Sequence, residues 1–290
     1  MTNAEYELRH KELLLPVVRV RAGNAGGSGT ILYSADDGSG GFSTYVLTNF
    51  HVVANLVKVE EKWSTLLKRN VKTDVMGIPE VQQFTYRYAS RTVGANSIEA
   101  DIVAYDKDED LALLHLRGDS KCVTAKMLPV GEEINLKLSA PVFAVGAGLG
   151  EPPVITGGML AQFGREIEGR EFWLNSAPSI YGNSGGALFL ADTHEFIGVP
   201  SRIAVTMSGF SAAPITHLSY AIPITRVYKF LVDQYFDFVF EPGHTEAGDA
   251  ERRVQARKNE EMQMARKDTN GQKDDPSQTL PDDGDLFGGA

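Results

Sequence analysis

The sequence predicts an all-β fold with a short N-terminal helix, a C-terminal helix and a disordered tail, and three observations carry that expectation. Short apolar runs such as Val142-Phe143-Ala144-Val145 and Phe196-Ile197-Gly198-Val199 are separated by glycine and proline, as in a chain of many short strands. Val17-Val18-Arg19-Val20-Arg21 alternates with the period of a half-buried strand. Near the other end, Val227, Phe230, Leu231, Gln234, Tyr235 and Phe238 change to the spacing of one helix face.

In chain order, residues 1 to 15 read as a short charged helix that ends before Pro16, because the residue preceding a proline is steered out of helical space. Thr30-Ile31-Leu32-Tyr33 and Thr44-Tyr45-Val46-Leu47-Thr48 are strand-like, and the glycines of Asp36-Asp37-Gly38-Ser39-Gly40-Gly41 mark the connection between them as a hairpin. The aspartate pair in that connection lacks the spaced carboxylates of a calcium loop, so no metal is expected. Trp63, Leu66, Leu67 and Val71 fall at helical spacing in a polar segment and predict a short helix. A turn at Gly118-Asp119-Ser120 leads to a crossover near Pro129, and a second set of short strands runs from about Ala140 to Ile222. The closing helix stops at Glu241-Pro242-Gly243. Residues 241 to 290 are polar and read as a largely disordered tail, in which Glu251 to Lys267 has the composition of a solvated helix.

The composition is that of an ordinary globular protein: 290 residues, 42% hydrophobic and 23% charged. A formal charge of -10 with no basic run argues against a nucleic-acid partner held through phosphates. Cys122 is the single cysteine, so no intrachain disulfide forms and no oxidising compartment is demanded. The charged N-terminal stretch lacks the apolar region of a signal peptide, and no stretch approaches the ~20 apolar residues of a membrane span. These features predict a cytoplasmic protein without a membrane partner.

The chemistry centres on Ser179-Ile180-Tyr181-Gly182-Asn183-Ser184-Gly185-Gly186-Ala187-Leu188. Glycines on both sides of Ser184 let the backbone fold tightly, free the hydroxyl and allow N–H groups to converge on one point. A serine nucleophile needs an adjacent base held in one tautomer by a third group. Thr48-Asn49-Phe50-His51-Val52-Val53 supplies a histidine, and Asp108-Glu109-Asp110-Leu111-Ala112-Leu113-Leu114 supplies a carboxylate. Asp110 has rivals in Asp101, Asp106, Asp108 and Glu109; the apolar run that follows Asp110 puts it at a strand start, where it can be buried beside His51. The remaining histidines have no neighbouring pattern of a ligand or base. Gly26-Gly27-Ser28-Gly29 lacks the Gly-Lys-Ser/Thr ending of a phosphate loop, and Cys122 lacks the context of a cysteine nucleophile. No cofactor is called for.

The order His51, Asp110, Ser184 is that of the chymotrypsin-like double barrel, and on these residues the chain resembles the trypsin-like serine proteases, their HtrA/Deg branch in particular. Gly26 to Ile31, Thr48 to Val53, Asp101 to Leu114, Val145 to Gly150, Ile155 to Leu160, Phe172 to Gly186, Phe196 to Val199 and Tyr220 to Pro223 are similar to that branch in order and spacing. The resemblance implies two six-stranded antiparallel β-barrels, barrel one over about 16–125 and barrel two over about 126–224. With a closing helix over 225–240 these form a protease domain of 16–240, preceded by the 1–15 helix and followed by the 241–290 tail without the usual PDZ domain. Residues from about 58 to 98 are then an insertion on the first barrel, a short helix with an irregular or hairpin excursion.

The implied activity is peptide-bond hydrolysis through an acyl-enzyme, with His51, Asp110 and Ser184 as the triad and Gly182, Asn183 and Ser184 shaping the oxyanion hole. Ile180, Tyr181, Val199, Pro200, Ser201 and Ile203 would bind substrate, and with no acid placed for a basic side chain they suggest cleavage after small or medium apolar residues in unfolded or flexible chains. The partner is then a protein or peptide substrate, and the resemblance also implies a homo-oligomer, a trimer built through residues 1 to 15. A latent or inactive fold that binds peptides without cutting them is the alternative. The acidic end, Pro281-Asp282-Asp283-Gly284-Asp285-Leu286-Phe287, is either a solvated tail or a docking peptide for another protein.

Overall fold

The computed structural model describes residues 2–65, 68–89, 91–208 and 211–271. Six strands close the first barrel in the order β1-β2-β3-β8-β7-β6, where β1 is Val17–Ala22, β2 Ala25–Asp36, β3 Phe42–Thr48, β6 Glu80–Arg87, β7 Arg91–Asp106 and β8 Leu111–Leu116. Alternation explains the core: Val18, Val20 and Ala22 of β1 point inward onto Ile31, Val46, Val81, Ile102 and Leu114, while Arg19 and Arg21 point out.

The second sheet contains β10 (Pro141–Gly146), β11 (Val154–Ile167), β12 (Arg170–Asn175), β13 (Ala187–Leu190), β14 (Glu195–Ser208) and β15 (Ser211–Pro223). Antiparallel pairing of β13 with both β10 and β14 closes these six into a ring, and β9 (Lys126–Met127) adds a short parallel pairing to β14. The double barrel of the sequence reading is present. Barrel two is filled by Val142, Ala144, Leu160, Phe172, Phe189, Phe196 and Val199, all nearly or fully buried.

Four expectations are corrected. The segment after α2 (Phe50–Val53) is a β-hairpin, β4 (Val57–Ser64) paired with β5 (Arg69–Met76), not a helix; Trp63 stands opposite Asn70 and Lys62 opposite Val71 across it. Part of the 58–98 insertion is barrel wall, since β6 and β7 lie in the closed sheet. The closing helix is α3 (Ile224–Asp233) and is shorter than expected, because Tyr235 takes a left-handed φ of 57°. Val227, Phe230 and Leu231 pack inward as their spacing predicts.

The fourth correction concerns the tail. Glu246–Gly271 forms a helix, α4, whose first turn is docked on the body. Glu246 accepts hydrogen bonds from Ser43 Oγ at 2.8 Å and Tyr45 Oη at 2.6 Å, and burial together with that carboxylate pushes the Tyr45 hydroxyl pKa up. Asp249 accepts from the Phe238 N–H at 2.9 Å and from Arg252 Nη1 at 2.9 Å. The acidic end at 281–287 lies outside the described residues. At the other terminus α1 (Asn3–Arg9), capped by Thr2, continues as a wider turn over His10–Leu14, and Leu13 is buried. No described helix is long and apolar enough to cross a membrane.

Candidate active site

Each of the three segments singled out in the sequence ends or begins a strand where the barrels meet. His51 lies in the first turn of α2 directly after β3, Asp110 immediately precedes β8, and Ser184 lies in the turn before β13. Asp110 adopts a left-handed φ of 54°. A network of neighbours fixes that turn: Asp106 accepts the N–H groups of Asp108 and Glu109 at 2.8 and 2.9 Å, and Asn49 Nδ2 donates to the Asp110 carbonyl at 2.8 Å. From α3, Arg226 donates to the Glu109 carboxylate at 2.6 Å and to its carbonyl at 3.1 Å.

The carboxylate of Asp110 meets His51 Nδ1 at 2.9 Å and the His51 N–H at 3.0 Å. Ser201 Oγ donates to the same carboxylate at 2.7 Å. Burial pushes the Asp110 carboxyl up, but the bonds from His51 and Ser201 outweigh it and hold the group below the usual aspartate value. Its rivals are engaged elsewhere: Asp101 with Arg117 at 2.7 Å, Asp108 with Arg170 at 3.1 Å, Glu109 with Arg226, and Asp106 in the turn. The imidazole is half exposed and the Asp110 side chain mostly covered, so the ring is open on the side away from the acid.

Ser184 Oγ is 3.3 Å from the carbonyl of Ser201, its hydrogen-bond partner among the described residues; no bond joins it to His51. The turn around it needs its glycines. Gly182 has φ 99° and a Cβ there would stand 2.7 Å from the Ala147 carbonyl; Gly185 has φ 85° and a Cβ there would stand 2.2 Å from the Ser28 carbonyl. Among the described residues the amides of Gly182 and Ser184 carry no hydrogen bond, whereas the Asn183 N–H is committed to Ile180 O at 3.1 Å. The Asn183 side chain is buried, with Oδ1 unpartnered among the described residues.

Ser28 is the site residue that the sequence reading set aside. It is fully buried, donates from Oγ to Gly182 O at 2.6 Å, accepts from the Ala147 N–H at 2.7 Å, and donates its own N–H to Ser184 O at 2.8 Å. Its position inside Gly26-Gly27-Ser28-Gly29 was the available signal, since two flanking glycines admit a close backbone approach.

The expected substrate-contacting residues separate. Val199 is fully buried in the core of barrel two and offers a groove no side chain, a correction that follows from β14 being buried on both faces over residues 196–201. Pro200 contributes a carbonyl to Gly185 N at 3.0 Å, and the Ser201 hydroxyl is committed to the Asp110 carboxylate. Ile180 lies against Gly148. Tyr181 is exposed, and Ile203 is half-buried on β14. Loop and strand are joined by Ser179 N donating to Thr216 O at 2.7 Å and by a buried Ser179, Ser219 and Asn175 cluster that contains no carboxylate.

One group of potential metal ligands occurs among the described residues, Asp237, His244 and Asp249, whose ligand atoms lie within 4.8 Å of one another. The guanidinium of Arg252 already bridges them, 2.9 Å from each carboxylate and 3.3 Å from the imidazole, so the positive charge there is supplied by the chain.

The chain is 28% identical over 71% of its length to a probable periplasmic serine endoprotease, DegP-like, from Pseudomonas fulva, and 27% identical over 72% of its length to the serine protease Do-like HtrA of Lactococcus lactis subsp. cremoris. The match spans about a third of the first relative, 34%, and 48% of the second. The crystal structure of the serine endoprotease from Yersinia pestis superposes with a TM-score of 0.52 at 20% identity, covering 82% of this chain and 68% of that one, and shares the fold. The expectation of a cytoplasmic location is overturned here: the Pseudomonas relative and two others of the same name are described as periplasmic. A single cysteine forms no internal disulfide on either side of a membrane, so that observation does not discriminate. The pattern of the trypsin-like peptidase domain matches residues 27–199, more than half of the chain, and with the double barrel in place the chain belongs to the trypsin-like peptidase family.

Proposed function

We propose that the protein is a serine endopeptidase that cuts peptide bonds through an acyl-enzyme, with residues 16–240 as its catalytic unit. The observation that carries this is the Asp110 carboxylate, bonded to His51 Nδ1 at 2.9 Å and to the hydroxyl of Ser201, whose carbonyl lies 3.3 Å from the Ser184 hydroxyl. An acceptor on Nδ1 fixes the tautomer that leaves Nε2 free to take a proton. In the proposed reaction Ser184 Oγ adds to the scissile carbonyl carbon while its proton passes to His51 Nε2. The imidazolium then gives that proton to the leaving amine as the C–N bond breaks, and water repeats the sequence on the ester to release the acid. Asp110 remains ionised throughout and stabilises the imidazolium. The uncommitted amides of Gly182 and Ser184 receive the oxyanion, with Asn183 shaping the turn between them; losing one such donor costs ~100-fold or more.

Cleavage after small or medium apolar residues fits the absence of a carboxylate from the Ser179, Ser219 and Asn175 cluster that backs the nucleophile loop. The names of the relatives point to protein substrates and to work outside the cytoplasm, as in a periplasm, which cell fractionation would test. A second reading, a latent site that binds peptides, is favoured by one observation: Ser184 Oγ faces Ser201 O and not His51. A fluorophosphonate probe read by intact mass decides between them. Labelling of the wild type that vanishes in Ser184→Ala supports the peptidase; a folded wild type that takes no label excludes an assembled site at rest.

A further inference from the structure

Beside Gly182 a cleft of about 680 Å³ carries a charge that the proposed reaction does not use. Arg19, Arg21 and Gly27 of barrel one form one wall, and Leu149, Tyr181 and Gly182 of barrel two form the other. No residue of β14 lines it, so it is separate from the strand along which the acyl side of an extended substrate would pair. A chain whose scissile carbonyl sits at Ser184, beside the Gly182 amide, leaves β14 after that bond and runs towards this cleft.

Its two charged lining residues are both arginines, in a chain of net charge -10. Arg21 shares its charge with Glu80 at 3.3 Å. Arg19 has no carboxylate partner among the described residues. Its Nε donates to Gln82 Oε1 at 2.6 Å, and its guanidinium lies 5.7 Å from the centre of the Phe84 ring. Gln82 is buried and is itself held by Glu80 at 2.6 Å and Ser97 at 3.0 Å. The stem of Arg19 is therefore aimed, while its terminal nitrogens are left to the cleft; a Cβ at Gly150, on the far wall, would stand 3.8 Å from Nη1. A guanidinium fork held this way matches a carboxylate better than a mobile ammonium would.

We propose that this cleft is a subsite for the leaving-group side of the substrate, in which Arg19 selects an aspartate or glutamate side chain among the first residues after the scissile bond. Leu149 and Tyr181, both exposed, would cover its apolar stem. The proposal rests on the endopeptidase reading, and its test separates the two.

Two peptides identical up to the scissile bond and differing only by Glu or Lys after it are compared with a p-nitroanilide of the same acyl part, which places no residue in the cleft. Binding of both peptides to Ser184→Ala is measured by fluorescence anisotropy. The wild type is expected to favour the Glu peptide by about tenfold in kcat/KM at low salt, less at high salt, and Ser184→Ala to bind it more tightly in similar proportion. In Arg19→Gln the ratio should fall towards one, and in Arg19→Glu it should invert. Hydrolysis of the p-nitroanilide with equal handling of both peptides overturns the subsite and leaves the peptidase standing. No hydrolysis, but tighter binding of the Glu peptide to Ser184→Ala, supports the subsite and overturns the peptidase. A preference for Glu that persists in both Arg19 variants also overturns the subsite, because the charge would then lie elsewhere.

Discussion

Asp110 holds a backbone conformation, φ 54°, that costs a non-glycine residue roughly 1–3 kcal/mol, and its neighbours offset that cost. Asn49 bonds its carbonyl, and His51 and Ser201 bond its carboxylate. Asparagine tolerates the left-handed region, so Asp110→Asn keeps the turn while removing the charge and upsetting the imidazole tautomer. We expect turnover to fall between ~100-fold and ~10⁴-fold with the fold intact. Steady-state kinetics with a circular dichroism spectrum check this, and unchanged turnover would remove Asp110 from the mechanism. The same group sets a pH dependence. Its folded pKa lies below the ordinary 3.8, so the folded state binds fewer protons than the unfolded one between the two values. The stabilisation by this carboxylate is complete above the unfolded value and is lost as the pH falls through the folded one. Urea unfolding should therefore show the wild type's advantage over Asp110→Asn at pH near 6 and a smaller advantage near 3. An advantage equal at both would mean that the ionised form is not what the fold favours.

Among the elements, the turn before β13 and the first turn of α4 show what local sequence reveals and what it does not. The nucleophile turn was readable because its need is local: at Gly185 any Cβ would meet both Ser28 O at 2.2 Å and Thr48 Oγ1 at 2.4 Å. Gly185→Ala should destabilise the protein by at least ~2 kcal/mol and abolish probe labelling. A melt within a degree of wild type would contradict the close approach. Most barrel strands were readable from alternation, as in β1, or from short apolar runs between glycine and proline, as in β10 and β14, whereas β6 and the start of β7 fell within the stretch read as an insertion. The hairpin β4-β5 was not: Trp63 and Val71 belong to different strands, and a helical spacing counted across their connection joined residues of two elements. Docking of α4 was hidden for a different reason. Its partners Ser43 and Tyr45 lie 203 and 201 residues away, and a polar composition gives no periodic apolar face to mark a buried turn. Asp249 anchors that turn, buried on the Phe238 N–H and the Arg252 guanidinium. Asp249→Ala should cost roughly 1–3 kcal/mol and speed hydrogen exchange at 246–253. Exchange unchanged there would show that Glu246 alone holds the helix.

At the scale of the whole molecule the site belongs to neither barrel. His51 and Asp110 come from barrel one and Ser184 from barrel two, so the distance between the proposed base and the proposed nucleophile is a property of how the barrels dock. Two ties set it. Arg226 of α3 reaches back from the closing helix to Glu109, next to Asp110. Ser28, on β2, holds the carbonyl of Gly182 and the amide of Ala147 through one hydroxyl, and the carbonyl of Ser184 through its amide. Ser28→Ala keeps the backbone bond but leaves the part-buried Gly182 carbonyl and the buried Ala147 amide without partners, the buried one worth roughly 1–3 kcal/mol. A purely structural role would lower the melting temperature and leave the rate of fluorophosphonate labelling unchanged well below it. A role in docking the nucleophile loop on barrel one would slow labelling by more than ~10-fold in a protein that is still folded, because the Gly182 carbonyl tethered by Ser28 belongs to the turn that presents the oxyanion amides. We expect the second result, with labelling by the probe and exchange protection in the cores of both barrels measured on the same sample. Labelling at the wild-type rate would move control of the loop to Gly185 and its bond to Pro200 O, within barrel two alone.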